Sequence, residues 1–324
     1  MQRKPPLTPA LLAAFVITAS PIASASIERT FAVSPGGSLI VDAEASDVRV
    51  SGGADQARIA VVRGNDDDAD IRDDFDVAFH QSGDRVQLTI RVRDRSFWRR
   101  IWHERRHLRV DVDLPREFDV DVTTSGGDLR VVRLSGDIDV HTSGGDIRFR
   151  DVDGPIRGRT SGGDIRLDGT SGTADIETSG GDIELGSIGG EVTARTSGGD
   201  ISVRRANAAV QVKTSGGNIV IREAAEGVQA TTSGGSVRAH LSTLSRDSSL
   251  TTSGGSITLR VPEDAAFSVD ARTGGGNVAI DEAFALTSRG TSSKNRVTGT
   301  VNGGGPDVRL RTSGGTIRIE PHEG

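Results

Sequence analysis

The densest chemistry in this sequence lies in one cationic, aromatic stretch, RVRDRSFWRRIWHERRHLR, from Arg91 to Arg109. It contains both tryptophans of the chain, Trp98 and Trp102, interleaved with Arg99, Arg100, Arg105 and Arg106. A guanidinium pairs bidentately with phosphate or carboxylate, and an indole suits a boundary between water and apolar matter. These six residues are therefore the expected contact for an anionic envelope component: a lipid headgroup, lipopolysaccharide or an acidic glycan. The competing reading is a hairpin tip whose tryptophans pack on the end of the fold, because aromatic rings usually go to packing.

Carboxylates gather in two places. In GNDDDADIRDDFD, the residues Asp66, Asp68 and Asp70 have the first, third and fifth positions of a calcium loop. Ile71 stands where that loop turns on glycine, and Val77 where it needs a bidentate glutamate, so a solvated acidic loop is expected. The second group is a column, Asp128, Asp146, Asp164, Asp182 and Asp200, continued by Asn218 and Ser236. Each follows a Gly-Gly pair. A cation at this corner is one reading; turn chemistry is the other, favoured because Asn and Ser replace Asp without disturbing the pattern. The calcium β-roll motif, GGxGxDxUx, needs a third glycine and a different Asp offset, and neither is present.

Catalytic constellations are not apparent. The histidines at 80, 103, 107, 141, 240 and 322 show no metal-ligand or triad spacing. Absence of cysteine removes disulfides, thiol nucleophiles and thiolate metal sites. Asp139 and Asp175 are placed on one face two repeats apart, as a polysaccharide-acting β-helix would require, but Arg157 intervenes and no long insertion builds a groove. No catalytic, cofactor-binding or metal-binding residue is therefore assigned.

These side chains are carried on a repeat. TSGG recurs with its Thr at 124, 142, 160, 178, 196, 214 and 232, a constant step of eighteen residues, then at 252 and 312, with TGGG at 273. Within a unit the apolar residues alternate in two short runs, for example Ile165 and Leu167, then Ala174 and Ile176. Period two is strand periodicity, and the glycine density with no 3.6-residue stripe excludes helices. Neither strand can bury its apolar side alone. Stacking the units in parallel, at ~4.8 Å per coil, closes a continuous core. The expected fold is all-β: a parallel β-solenoid, or β-helix, of eighteen-residue coils, capped at both ends by irregular strands. The paired glycines are expected at positive φ in a tight corner. The Thr of each unit points inward, either bonding along the stack or serving as one more β-branched strand residue.

Composition agrees with a thin aliphatic core: 34% hydrophobic residues, forty-two glycines, nine Phe and no Tyr. The first residues predict export. Arg3 and Lys4 precede the apolar run from Ala10 to Ala19, and Ala23-Ser24-Ala25 has the form a signal peptidase cleaves. That run is shorter than the roughly twenty residues of a membrane span, although an uncleaved anchor is the alternative. Losing Arg3 and Lys4 takes the formal charge from −6 to −8, which gives no general attraction to nucleic acid.

The stretch FAVSPGGSLIVDAEASDVRVSG from Phe31, the segment VDVDLPREFDVDVTTSGGDLRV, the TSGGDI units and the ending VNGGGPDVRLRTSGGTIRIE together resemble a bacterial envelope family known as putative adhesins. The resemblance spans about Ile27 to Glu320. It implies a β-solenoid and offers no catalytic residue to carry over.

The expected organisation is a signal peptide at 1–25, an irregular β region capping the stack at 26–123, the regular repeat at 124–284, and a loop with a final coil at 285–324. Strands are expected in the first of these regions at Ser38 to Val41, Ala57 to Arg63, Asp76 to His80, Val86 to Arg93 and Arg109 to Leu114. The expected function is that of an exported, non-enzymatic envelope protein of the periplasm or cell surface, an adhesin or binding scaffold. The alternatives are a polysaccharide lyase or hydrolase and a cation-binding repeat protein.

Overall fold

The computed structural model describes residues 26–63, 71–93, 108–288 and 293–322, and statements of structure concern these. Apart from one four-residue helix, Ile71–Asp74, every regular element is a strand, and the strands form sheets of 14 and 15 members. Through the repeats the chain alternates between the two. Ile147–Asp153, Ile165–Thr170 and Ile183–Ile188 lie in the first sheet, and Ile156–Arg159, Ala174–Glu177 and Val192–Arg195 in the second. Pairing is parallel and steps by one repeat, Ile147 to Ile165 to Ile183 and Ile156 to Ala174 to Val192. This is the parallel solenoid that the spacing predicts.

Alternate residues of both sheets meet in the interior. Ile147, Ile165, Ile183, Ile201 and Ile219 form one ladder, each at most 1% exposed. A buried aliphatic side chain of this size stabilises by about 1.5–3 kcal/mol, so each coil holds its neighbours mainly through such rows. Volume is shared across rows. Gly158 leaves an inward position without a side chain, and the ring of Phe149 occupies the space: a Cβ there would stand 3.1 Å from Phe149 and 3.3 Å from Ile176.

The corner is built from the TSGG tetrapeptide. Its Thr points inward and is buried, as at Thr142, Thr178 and Thr214. The hydroxyls do not bond one another. Thr178 Oγ1 donates to the carbonyl of Gly163 in the preceding coil at 2.9 Å and accepts the N–H of Gly181 in its own corner at 3.3 Å. The expectation of positive φ at these glycines is not met; in the described residues the positive-φ glycines are elsewhere, for example Gly154 at the opposite turn, with φ 104°. The second glycine is instead required by close stacking of backbones. A Cβ on Gly163 would lie 2.1 Å from the Gly145 carbonyl oxygen, whereas one on Gly162 would lie 3.5 Å from its nearest neighbour.

Chain order and stacking order part company at both ends. Gly37–Ala43 and Ser46–Gly52 form a coil wedged between Arg85–Val92 with Leu108–Leu114 on one side and Phe118–Thr124 with Leu129–Ser135 on the other. At the far end, the last coil of the sequence, Asp307–Thr312 with Ile317–His322, inserts beside Ser248–Thr251 and Ile257–Pro262, displacing Phe267–Thr273 and Val278–Ile280 outward. Outside these, antiparallel strands finish the sheets: Ser26–Phe31 on Ala57–Arg63, Phe75–Ser82 on Arg85–Val92, and Leu286–Ser288 on Arg296–Val301. The stretch 285–305, expected as a loop, thus includes two short strands. Each of the five strands expected before Phe118 is present, Val86 to Arg93 ending one residue earlier, at Val92, and Ser26–Phe31 and Ser46–Gly52 are additional.

Candidate functional site

The residues named from sequence as an anionic contact, Trp98, Arg99, Arg100, Trp102, Arg105 and Arg106, lie outside the described residues. Their flanks do not. Arg91 donates to Asp42 Oδ1 at 2.8 Å, Arg93 pairs with Asp76 at 2.6 Å, and Arg109 with Asp111 at 2.8 Å. The Asp42 hydrogen bond holds the Arg91 guanidinium above its ordinary pKa. Of the acidic loop, Asp66, Asp67, Asp68 and Asp70 also lie outside the described residues. Asp74 is bonded to the buried Arg63 at 2.8 Å, and Asp76 to Arg93.

The Asp column is bound into the stack. Asp146 N–H donates to Asp128 Oδ1, Asp164 N–H to Asp146 Oδ1, and Asp182 N–H to Asp164 Oδ1, at 2.8–2.9 Å. Asn218 and Ser236 continue the chain of bonds. Each carboxylate therefore anchors the next coil's backbone rather than its own turn, which Asn and Ser oxygens do equally well. Among the described residues, no group of three or more potential ligands is placed to hold a metal ion.

Asp139 and Asp175 are in register with Arg157 between them, as their spacing implies. A closer partner escaped the repeat pattern. Asp121, on Phe118–Thr124, sits directly beside Asp139 in the preceding coil. Burial first, then the charges of Asp139 and Asp42, push the Asp121 carboxyl above its usual pKa. The cavity here measures about 220 Å³, below the roughly 300–1,000 Å³ of small-molecule pockets, and the Arg157 guanidinium reaches to 3.9 Å from Asp139.

The larger hollows are on the outer face of the first sheet. One of about 550 Å³ runs from Arg166 past Gly186 and Ser202 to Arg222; the next, about 440 Å³, continues from Arg222 past Arg238 and His240 to Arg318. His240 and His322, distant in sequence, meet here with ring centroids 3.9 Å apart. The His322 Nε2 lies 2.9 Å from the Leu241 carbonyl, so that nitrogen carries the proton. His240 Nε2 is buried without a hydrogen-bond partner. Nothing in the repeat spacing pointed to this pairing, because it depends on the insertion of the last coil.

The fold and faces define a repeat scaffold: a two-sheet parallel solenoid whose outward side chains form ladders. The chain belongs to the Toastrack DUF4097 family, whose model matches residues 38–241 and 205–320. Similar solved structures include a putative adhesin from Parabacteroides merdae, at 11% identity and TM-score 0.42, covering 92% of this chain and 96% of that one. A putative lipid binding protein from Parabacteroides distasonis is similar at 12% identity and TM-score 0.39, covering 92% and 97%. A putative adhesin from Bacteroides fragilis is similar at 14% identity and TM-score 0.34, again covering 92% and 97%. No curated protein sequence matches this one.

Proposed function

We propose that this chain is an exported, non-enzymatic binding scaffold of the bacterial envelope, in the periplasm or at the surface, after removal of a signal peptide at 1–25. The carrying observation is the corner: buried Thr hydroxyls and exposed carboxylates bond each coil to the next, so the two outer faces are held rigid while their side chains stay available. Rigid presentation lowers the ordering cost of binding an extended partner. The segment Arg91 to Arg109 is a contact of this scaffold for an anionic envelope component, with Trp98 and Trp102 as anchors and Arg99, Arg100, Arg105 and Arg106 as charge partners. Fractionation of cells carrying a tagged copy tests the location, and a tag found in the cytoplasm overturns it. Replacing the four arginines by Ser tests the contact. Binding to anionic vesicles or lipopolysaccharide falls and weakens with salt in the parent, while the melting temperature is unchanged. Retained binding in the variant, or none in the parent, removes that contact.

A further inference from the structure

Five successive strands of the first sheet each set at least one arginine on its outer face, Arg204, Arg222, Arg238, Arg260 and Arg318 among them. Stacking order matters here, since Arg318 arrives on the inserted last coil, beside Arg260's strand. Two of the corresponding cations nearer the N-terminus are neutralised. Arg148 pairs with Asp146 at 2.8 Å, and Arg166 with Glu184 at 2.6 Å. In the C-terminal run only Arg260 has a carboxylate, Glu320, at 3.0 Å. Glu223, the nearest further acid on these strands, is held by Arg205 at 2.8 Å. Among the described residues Arg222, Arg238 and Arg318 have no carboxylate within 4 Å. An acidic chain has therefore left a row of uncompensated guanidinium groups along one groove.

The groove has a second property. Its two hollows share Arg222 and span seven strands, from Ile165–Thr170 to Ile317–His322, about 29 Å at the usual strand spacing. Between the arginines lie groups that seek hydrogen bonds. The hydroxyls of Ser202 and Thr258 make none within the described protein, and His240 Nε2 is buried and unpartnered. Gly186 opens the floor, because a Cβ there would meet the Asp168 carbonyl oxygen at 1.7 Å. No aromatic ring other than the His240 imidazole is among the residues lining the two hollows, so there is no platform for stacked bases and no anchor for a bilayer.

A long groove, with four cations free of carboxylates over its seven rungs and hydroxyl-directed partners between, fits a linear polymer that repeats a negative charge and hydroxyls at short intervals. We infer that this groove binds an extended uronic-acid polysaccharide lying along the solenoid axis, its carboxylates on Arg222, Arg238 and Arg318 and its hydroxyls on Ser202 and Thr258. A carboxylate accepts two parallel N–H bonds from a guanidinium. Bonding at several rungs raises affinity with chain length until the groove is filled. The inference rests on the scaffold reading and names a ligand for it.

Oligogalacturonates of increasing length, measured by calorimetry against the full chain, test it. Affinity rises with length and then levels, falls with salt, and neutral dextran does not bind. The variant Arg222→Ser/Arg238→Ser/Arg318→Ser loses about tenfold or more, since fully engaged charge pairs dominate such contacts. Arg130→Ser/Arg148→Ser removes the same kind of charge from the same sheet outside the groove and stays within about twofold of the parent. Ser202→Ala/Thr258→Val weakens binding with no change of charge. Equal losses in the two arginine variants mean net charge alone is sensed and overturn the inference. So does tighter binding to phosphatidylglycerol vesicles lost in the same triple variant, or no oligogalacturonate binding by the parent. In those cases envelope retention of the tagged protein still reports separately on the scaffold reading. Melting temperatures of all variants close to the parent's establish that they are folded.

Discussion

The hydroxyl of Thr312 donates to the carbonyl of Gly255, 57 residues earlier in the chain, at 2.7 Å. In the regular repeats the same bond reaches back 15 residues, as from Thr178 to Gly163. At the outermost corner Thr273 donates to Gly315, 42 residues later. The corner therefore recognises a neighbouring corner whatever the path of the chain between them. Each Thr is a lock between coils, and the lock needs a hydroxyl inside an apolar core.

Thr178→Val keeps the shape and removes the donor, leaving the Gly163 carbonyl and the Gly181 N–H without their partner. A loss of about 1–3 kcal/mol in urea unfolding is expected. Thr312→Val loses a similar amount, because the local geometry is the same. Equal stability of Thr178→Val and the parent means that the hydroxyl contributes nothing beyond its β-branched shape.

The two glycines of each corner are separable. Gly163→Ala forces a Cβ to within 2.1 Å of a backbone oxygen, which the stack relieves only by opening between coils, and a large loss of stability or failure to fold is expected. Gly162→Ala meets its nearest atom at 3.5 Å, an ordinary contact, and shifts the melting temperature little. Thermal unfolding followed by circular dichroism compares them; two equally mild variants remove the close-approach account of the corner.

The coil was legible in the sequence because its alternation and its eighteen-residue step occur in phase seven times, and only parallel stacking buries those rows. Periodicity describes the shape of a coil but not which coil it touches. That is why the displaced last coil, and with it the meeting of His240 and His322, was not legible. Asp121 was overlooked for a related reason: it precedes the first TSGG, in FDVDVTT, whose outward Asp residues take their place in the ladder only once the coil is closed. The paired glycines were identified correctly as a corner and given the wrong cause, since φ cannot be distinguished from close approach by residue type alone. The positively charged groove was not legible, because its arginines occupy different positions of the repeat and align only in three dimensions.

His240 titrates below its ordinary value of 6.5. Burial is the main cause, followed by the neighbouring His322; Arg260 acts in the same direction, while Glu223 and the Arg222 carbonyl oppose it. The unfolded chain thus binds a proton at a higher pH than the folded one. As pH falls through 6.5 toward the lower folded value, the unfolded state gains protons first and stability declines; above 6.5 this contribution is flat. The melting temperature of the parent drops over that window, and His240→Gln, which cannot titrate, reduces the drop. An imidazole of His240 titrating at or above 6.5 by NMR contradicts this.

Removal of whole coils tests the solenoid most directly. Deleting Thr160 to Glu177 takes out one unit and brings Ile147 opposite Ile183 and Ile156 opposite Val192, positions that already face the same way in register with the missing coil. The Thr lock is restored too, since Thr178 then finds the carbonyl of Gly145, which the deleted Thr160 had used. The gap beside Phe149 and Gly158 loses the contact with Ile176, whose place falls to the smaller Ala194, so the shortened protein is somewhat less stable than the parent. It still folds, with the same far-ultraviolet spectrum per residue and an axis shorter by ~4.8 Å. Deleting residues 160–168 instead removes half a coil and sends the following strand into the wrong sheet. An odd shift also turns apolar side chains outward, and unfolding or aggregation is expected. Circular dichroism and gel filtration distinguish the two deletions, and identical behaviour rules out an eighteen-residue coil as the unit of this fold.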